Sequence, residues 1–113
     1  MDFASKKCIP CEAGVKPFSL EKAEEYIKEL GHGWILEDKG AISKKVHLRS
    51  FLEAIAFVNE VAKLAESEGH HPDMNISYDT VVFRLSTHSI KGLSENDFIL
   101  ASKIEKLIHP ENV

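Results

Sequence analysis

Cysteine is scarce in this chain: there are two, Cys8 and Cys11, in a single Cys-x-x-Cys spacing. A structural zinc site wants four ligands, and no second pair exists to complete one. A redox pair would want a βαβ setting, which the pattern of the chain does not offer. The two thiols therefore read as an inert pair in a mobile arm, and free thiols fit a cytosolic protein. Basic charge is also in deficit, with 14 Lys and Arg against 18 Asp and Glu and a formal net charge of -4. Without a basic stripe to follow a phosphate backbone, direct contact with nucleic acid is not expected. No apolar run approaches the roughly 20 residues of a membrane span. The first residues, with Asp2 and the pair Lys6-Lys7, lack the apolar core of a secretory signal. No internal repeat or low-complexity segment is present.

What remains is an ordinary globular composition, 43% apolar and 28% charged over 113 residues. That length fits one domain with a small core, which association between copies would stabilise. Residues 1–18 hold Pro10, Gly14 and Pro17 without periodicity and read as an irregular N-terminal arm. Residues 19–113 read as the single folded domain. Ser19 is a candidate N-cap, and Leu20, Ala23, Ile27 and Leu30 follow at helical spacing until Gly31. Trp34 to Glu37 and Ala41 to Leu48 then read as a hairpin around Asp38-Lys39-Gly40. Ser50 and Glu53 form a capping signature for a second helix, which Gly69 and Pro72 stop. Its stripe is expected to run through Phe51, Ile55, Val58, Ala62 and Ala65. Leu52, Val61 and Leu64 stray from that stripe and are expected to form an interface.

A second hairpin is expected from Met74 to Tyr78 and from Val81 to Thr87, with Val81, Phe83 and Leu85 on one face. Ser94 to Asp97 is a further capping signature, opening a third helix through Phe98, Ala101, Ile104 and Leu107. The order is α-β-β-α-β-β-α. It predicts an α+β two-layer domain, a four-stranded antiparallel sheet with three helices packed on one face.

Three of the six histidines stand where a scaffold presents chemistry. His70 and His71 follow the second helix, and His88 ends a strand. A hairpin begun near position 74 returns its second strand toward its start, so His88 can come back beside His70 and His71. Histidine gives and takes protons near neutral pH. A histidine past a helix end can also do no more than meet the last carbonyls and the helix dipole. Three histidines could ligate zinc, with Glu66 as a fourth ligand. Against that, adjacent histidines point apart on extended chain, and no His-x-x-x-His pair exists.

Glu66 to Pro72, then Ser86-Thr87-His88, then Gly92-Leu93-Ser94-Glu95-Asn96-Asp97-Phe98 closely resemble the signature of the pterin-4a-carbinolamine dehydratases. The resemblance spans roughly residues 19–108, and the Cys8-Ile9-Pro10-Cys11 arm is similar to that of many members. It implies dehydration of a 4a-hydroxytetrahydropterin to a quinonoid dihydropterin, in the recycling of tetrahydrobiopterin. Losing hydroxide needs a general acid, and forming the new double bond needs a base at the neighbouring ring nitrogen. No redox step occurs, so neither a nicotinamide cofactor nor a metal is implied. By resemblance His70 and His88 lead the acid-base work, with the choice of acid and base open, and His71 binds or orients the pterin. Glu66 matches an acidic position able to hold a histidine tautomer. Asp97 matches an acidic position near the site, and capping of the third helix explains it equally well. Pro72, Thr87 and Ser89 complete the expected binding residues. Many members carry an aromatic residue where this chain has Met74, which puts a stacking contact in doubt; a thioether can still cover a ring face.

Two rival readings come from other classes. Animal members of the family also serve as a dimerisation cofactor of a homeodomain transcription factor, so the second helix could bind a protein partner. A zinc domain could form from Cys8, Cys11 and His32 or His47. Retention of the histidine trio favours the enzyme, a cytoplasmic one that self-associates to a dimer or tetramer.

Overall fold

The computed structural model describes residues 2–8, 16–37 and 40–108. Asp38, Lys39, Pro10, Cys11, Gly14 and His109 lie outside them. Ser19 caps the first helix by accepting the Lys22 amide at 3.2 Å. This helix, α1, spans Leu20–Leu30 and ends at Gly31, whose φ of 63° a side chain would resist. Strands β1 (Ile35–Glu37) and β2 (Ala41–His47) follow, then α2 (Phe51–Glu68). Ser50 opens α2 by accepting the Glu53 amide at 3.1 Å. Strands β3 (Asp73–Ser77) and β4 (Thr80–Leu85) form the second hairpin, and α3 (Glu95–Leu107) follows. The sheet order is β1-β2-β4-β3 and every pairing is antiparallel. The α+β order read from the pattern is the order of the fold.

One sheet face is dry. Ile42 and Val46 of β2 lie beside Leu85 and Val81 of β4, with Phe83 between them, all 4% exposed or less. The helices cover this face with Ala23 and Leu30, with Ala54, Phe57, Val61 and Ala65, and with Phe98, Leu100, Ala101 and Ile104. Burying each large side chain contributes about 1.5–3 kcal/mol. The other face is open, and Ile35, Val82 and Arg84 sit on it exposed or half-exposed.

Two expectations are corrected. The buried stripe of α2 is Ala54, Phe57, Val61 and Ala65, so Val61 is core and not interface. Both stripes have helical period, and size decides between them. Ala54 and Ala65 let the helix approach β4, where Phe57 meets Phe83 edge-on at 5.6 Å. Phe51 and Leu52 then face outward, 48% and 77% exposed, with Ile55 and Val58 half-buried beside them. The arm is the second correction. Phe3 sits in the core against Phe98 and Tyr26, in a short 3-10 turn spanning Phe3–Ser5. Cys8 is half-buried rather than loose, since its amide donates to Glu68 at 2.9 Å and its thiol to the Asn96 carbonyl at 3.6 Å.

Candidate functional site

The end of α2 is built by local chain chemistry. Gly69 takes φ 67° and ψ 23°, the left-handed conformation that favours glycine. Its amide donates to the Glu66 carbonyl at 3.3 Å, and the His70 amide donates to the Ala65 carbonyl at 3.2 Å. This paired closure is the Schellman motif, and it fixes the backbone of His70 against the helix. Pro72 then turns the chain into β3.

The start of α3 is built in the same way. The Ser94 amide donates to Asp97 Oδ2 at 2.9 Å, the reciprocal half of a capping box. Asp97 is fully buried. Its Oδ2 also accepts from Thr87 Oγ1 at 2.8 Å, which uses the only proton Thr87 has to give. The 2.7 Å contact between the Thr87 and Ser94 hydroxyls is therefore a bond donated by Ser94. Asp97 Oδ1 faces His70 Nε2 at 2.6 Å. A carboxylate accepting on both oxygens requires Nε2–H of His70 to donate. That fixes the tautomer and leaves Nδ1 as the ring nitrogen able to take a proton.

His88 opens a short 3-10 turn, His88–Ile90, after β4. An isolated bridge between Thr87 and Gly92 closes this loop. Gly92 is required by close approach, because a Cβ there would stand 2.5 Å from Pro17. His71 Nε2 meets Glu66 Oε1 at 2.8 Å on the surface.

These elements frame one cleft of about 460 Å³. His70, His71, Pro72, Thr87, His88 and Ser89 line it, so the hairpin brings all three histidines together. Asp97 stands behind it against His70, and Glu66 pairs with His71 on the surface beside it. Glu66 instead helps line a neighbouring apolar groove of about 420 Å³, together with Met74, Ala62 and Ala65, and His71 and Pro72 divide the two. Met74 thus borders the partition rather than the histidine cleft. Gly69, Asp73, Ser86 and Asn96 also line the cleft, and sequence reasoning did not choose them. Asn96 had a signal, since it adjoins Asp97 in the capping signature. Ser86 adjoins Thr87 in the signature, and its hydroxyl donates to the Gly40 carbonyl at 2.6 Å across the sheet.

His32 and His47 lie elsewhere. His47 pairs with Asp79 at 2.8 Å, at the far end of the sheet, and this bond holds the Asp79 carboxyl below its ordinary range. His32 lies 3.7 Å from Glu105, about 12 Å along α3 from Asp97. Cys8, His32 and His47 do not converge, and Cys11 lies outside the described residues. Among the described residues, no group of three His, Cys, Asp or Glu could hold a metal ion. Among them, too, no helix is long and apolar enough to cross a membrane.

The fold and cleft define a class: a small α+β domain with a histidine cluster set between two helix ends. Residues 16–107 match the family described as "Pterin 4 alpha carbinolamine dehydratase". A protein of Rickettsia bellii named "Putative pterin-4-alpha-carbinolamine dehydratase" is 44% identical over 92% of each chain. A protein of the same name from Nitrosomonas eutropha is 45% identical over 95% of this chain and 94% of its own. The crystal structure described as a transcriptional coactivator/pterin dehydratase from Brucella melitensis superposes with a TM-score of 0.75. It is 28% identical, over 81% of this chain and 98% of that one. The chain belongs to the pterin 4 alpha carbinolamine dehydratase family, a family of hydro-lyases.

Proposed function

We propose that the protein dehydrates a 4a-hydroxytetrahydropterin to the quinonoid dihydropterin by histidine acid-base catalysis, in the regeneration of tetrahydrobiopterin. The convergence of His70, His71 and His88 on one cleft, with Asp97 behind His70, carries this reading. In the reaction the bond from C4a to its hydroxyl oxygen breaks, and the oxygen leaves as water with a proton from the acid. The proton on N5 passes to the base, and the N5 electrons form the new C=N bond. No electron enters or leaves, so the chemistry needs no redox cofactor, and two proton carriers suffice without a metal.

The tautomer set by Asp97 suits His70 to the base, with Nδ1 accepting. His88 is then the acid. His71, held by Glu66, orients the pterin, and Pro72, Thr87 and Ser89 shape its seat. A cytoplasmic location fits this substrate.

The outer face of α2 supports a second role. Phe51 and Leu52 stand exposed beside Ile55 and Val58. That patch suits self-association to a dimer or tetramer, or a protein partner on the same helix. The decisive assay is stopped-flow absorbance of a 4a-hydroxytetrahydropterin, with the spontaneous rate subtracted and a chelator present. A corrected rate no faster than buffer would end the dehydratase reading. Loss of activity to the chelator, restored by zinc, would end its metal-free form.

A further inference from the structure

His70 follows the end of α2 and Asp97 lies in the first turn of α3, so their 2.6 Å contact depends on how the end of α2 meets α3. At that junction, two residues before His70, Glu68 is 7% exposed at its side chain. Its Oε2 accepts from Lys103 Nζ of α3 at 2.7 Å, and Lys103 is itself only 15% exposed. Its Oε1 accepts from the Cys8 amide at 2.9 Å. Cys8 in turn touches the carbonyl of Asn96, the residue before Asp97. Lys6, nearby in the arm, pairs with Glu95 at 2.5 Å. One carboxylate therefore joins the last turn of α2, the body of α3 and the N-terminal arm, and none of its contacts reaches the cleft. Burial alone would raise the Glu68 carboxyl, but the Cys8 amide and the Lys103 ammonium hold it below its usual range. It is thus an ionised tie rather than a neutral filler.

We propose that Glu68, Lys103 and the Cys8 amide form a positioning cluster that sets the His70–Asp97 contact. This assignment rests on the reading of His70 as an acid-base residue. Gly69 and the Schellman closure couple Glu68 rigidly to His70, so a shift of the α2 end relative to α3 appears directly at the 2.6 Å bond. Loosening of this kind costs turnover rather than binding, because the cleft walls at Pro72, Ser86 and His88 belong to other elements.

The test uses the full-length protein. Lys103→Met strands a buried carboxylate, so the double substitution Glu68→Gln with Lys103→Met is measured beside it. Both side chains are then neutral, and the Gln oxygen can still accept from Cys8. The double variant is expected to fold and to lose about tenfold to a hundredfold in kcat, the scale of a small misplacement at a reacting centre, with KM within about twofold. Imidazole nitrogen shifts of His70 are expected to move from a fixed Nε2–H tautomer toward a mixture, and Lys103→Arg is expected to restore both readouts. A folded double variant with wild-type kcat and an unchanged His70 tautomer overturns the proposal. If His70→Ala retains full activity, the underlying reading fails instead; if His70→Ala is inactive while the double variant is unaffected, only the positioning cluster fails.

Discussion

Replacing Asp97 by Asn tests the site at the atom where fold and chemistry meet. In the native chain Oδ2 accepts from Ser94 N at 2.9 Å and Thr87 Oγ1 at 2.8 Å, and Oδ1 accepts from His70 Nε2 at 2.6 Å. An Asn side chain keeps one acceptor, and the two Oδ2 contacts claim it. Its amide nitrogen then faces His70, donor to donor, unless the imidazole moves its proton to Nδ1. The variant is therefore expected to lose the strength of one charge-assisted bond, about 1.5–3 kcal/mol. For a domain of this size that lowers Tm by roughly 6–12 °C. It is also expected to lose about a hundredfold in kcat, because the ring nitrogen that accepts the N5 proton is now occupied. Chemical denaturation reads the first effect, and stopped-flow dehydration well below the Tm reads the second. A folded Asp97→Asn protein with wild-type kcat would refute the dyad. A loss confined to KM would show that Asp97 shapes binding and not proton transfer.

His88→Ala is expected to cut kcat by about a hundredfold without changing stability beyond about 0.5 kcal/mol, since the residue is exposed. His47→Ala, at the far end of the sheet, should leave kcat alone, and equal losses in the two variants would sink the assignment. Leu52→Glu is expected to dissociate the assembly in sedimentation at micromolar concentration with its helical signal intact, whereas Val61→Glu buries a charge in the core and should unfold the chain. A wild-type monomer under those conditions would contradict the interface. The Glu68 carboxyl lies below its unfolded value of about 4.5, so it adds stability above that pH and loses it as the pH falls through its folded value. Glu68→Gln should therefore flatten the acid limb of the denaturation curve, and an unchanged limb would show that the tie contributes nothing. Burial, and then Glu68, push the Cys8 thiol up to about 12. In a Cys11→Ser background near pH 8 it should alkylate far more slowly than the denatured chain, and equal rates would mean that the arm is not docked.

Much of this was legible because the elements start and stop on short-range chemistry. Ser19, Ser50 and Ser94 cap helices as their spacing predicts, and Gly31 and Gly69 end them at positive φ. The alternation of Val81, Phe83 and Leu85 fixed the inner face of β4. The orientation of α2 was not legible, because two apolar stripes share its period and only the close approach to Phe83 chooses between them. Nor was the Glu68–Lys103 tie, since those residues are 35 apart and each looks like ordinary surface charge. The docking of Phe3 and Cys8 escaped for a similar reason: a segment without periodicity carries no pattern, yet a single aromatic ring is enough to anchor it.

Capping of α3 and contact with His70 are compatible for Asp97. One oxygen of the carboxylate caps α3, and the other orients His70. The cap makes the pair stiff: Asp97 cannot swing away from His70 without releasing the buried Ser94 amide and Thr87 hydroxyl, where each lost bond costs about 1–3 kcal/mol. Capping boxes more often place Glu or Gln at this third position. A Glu here would carry its carboxylate one methylene further into a fully buried space, where overpacking costs about 1–3 kcal/mol. It could not keep both the Oδ2 contacts and the 2.6 Å approach to His70. The shorter acid is thus what lets one side chain both begin a helix and meet His70.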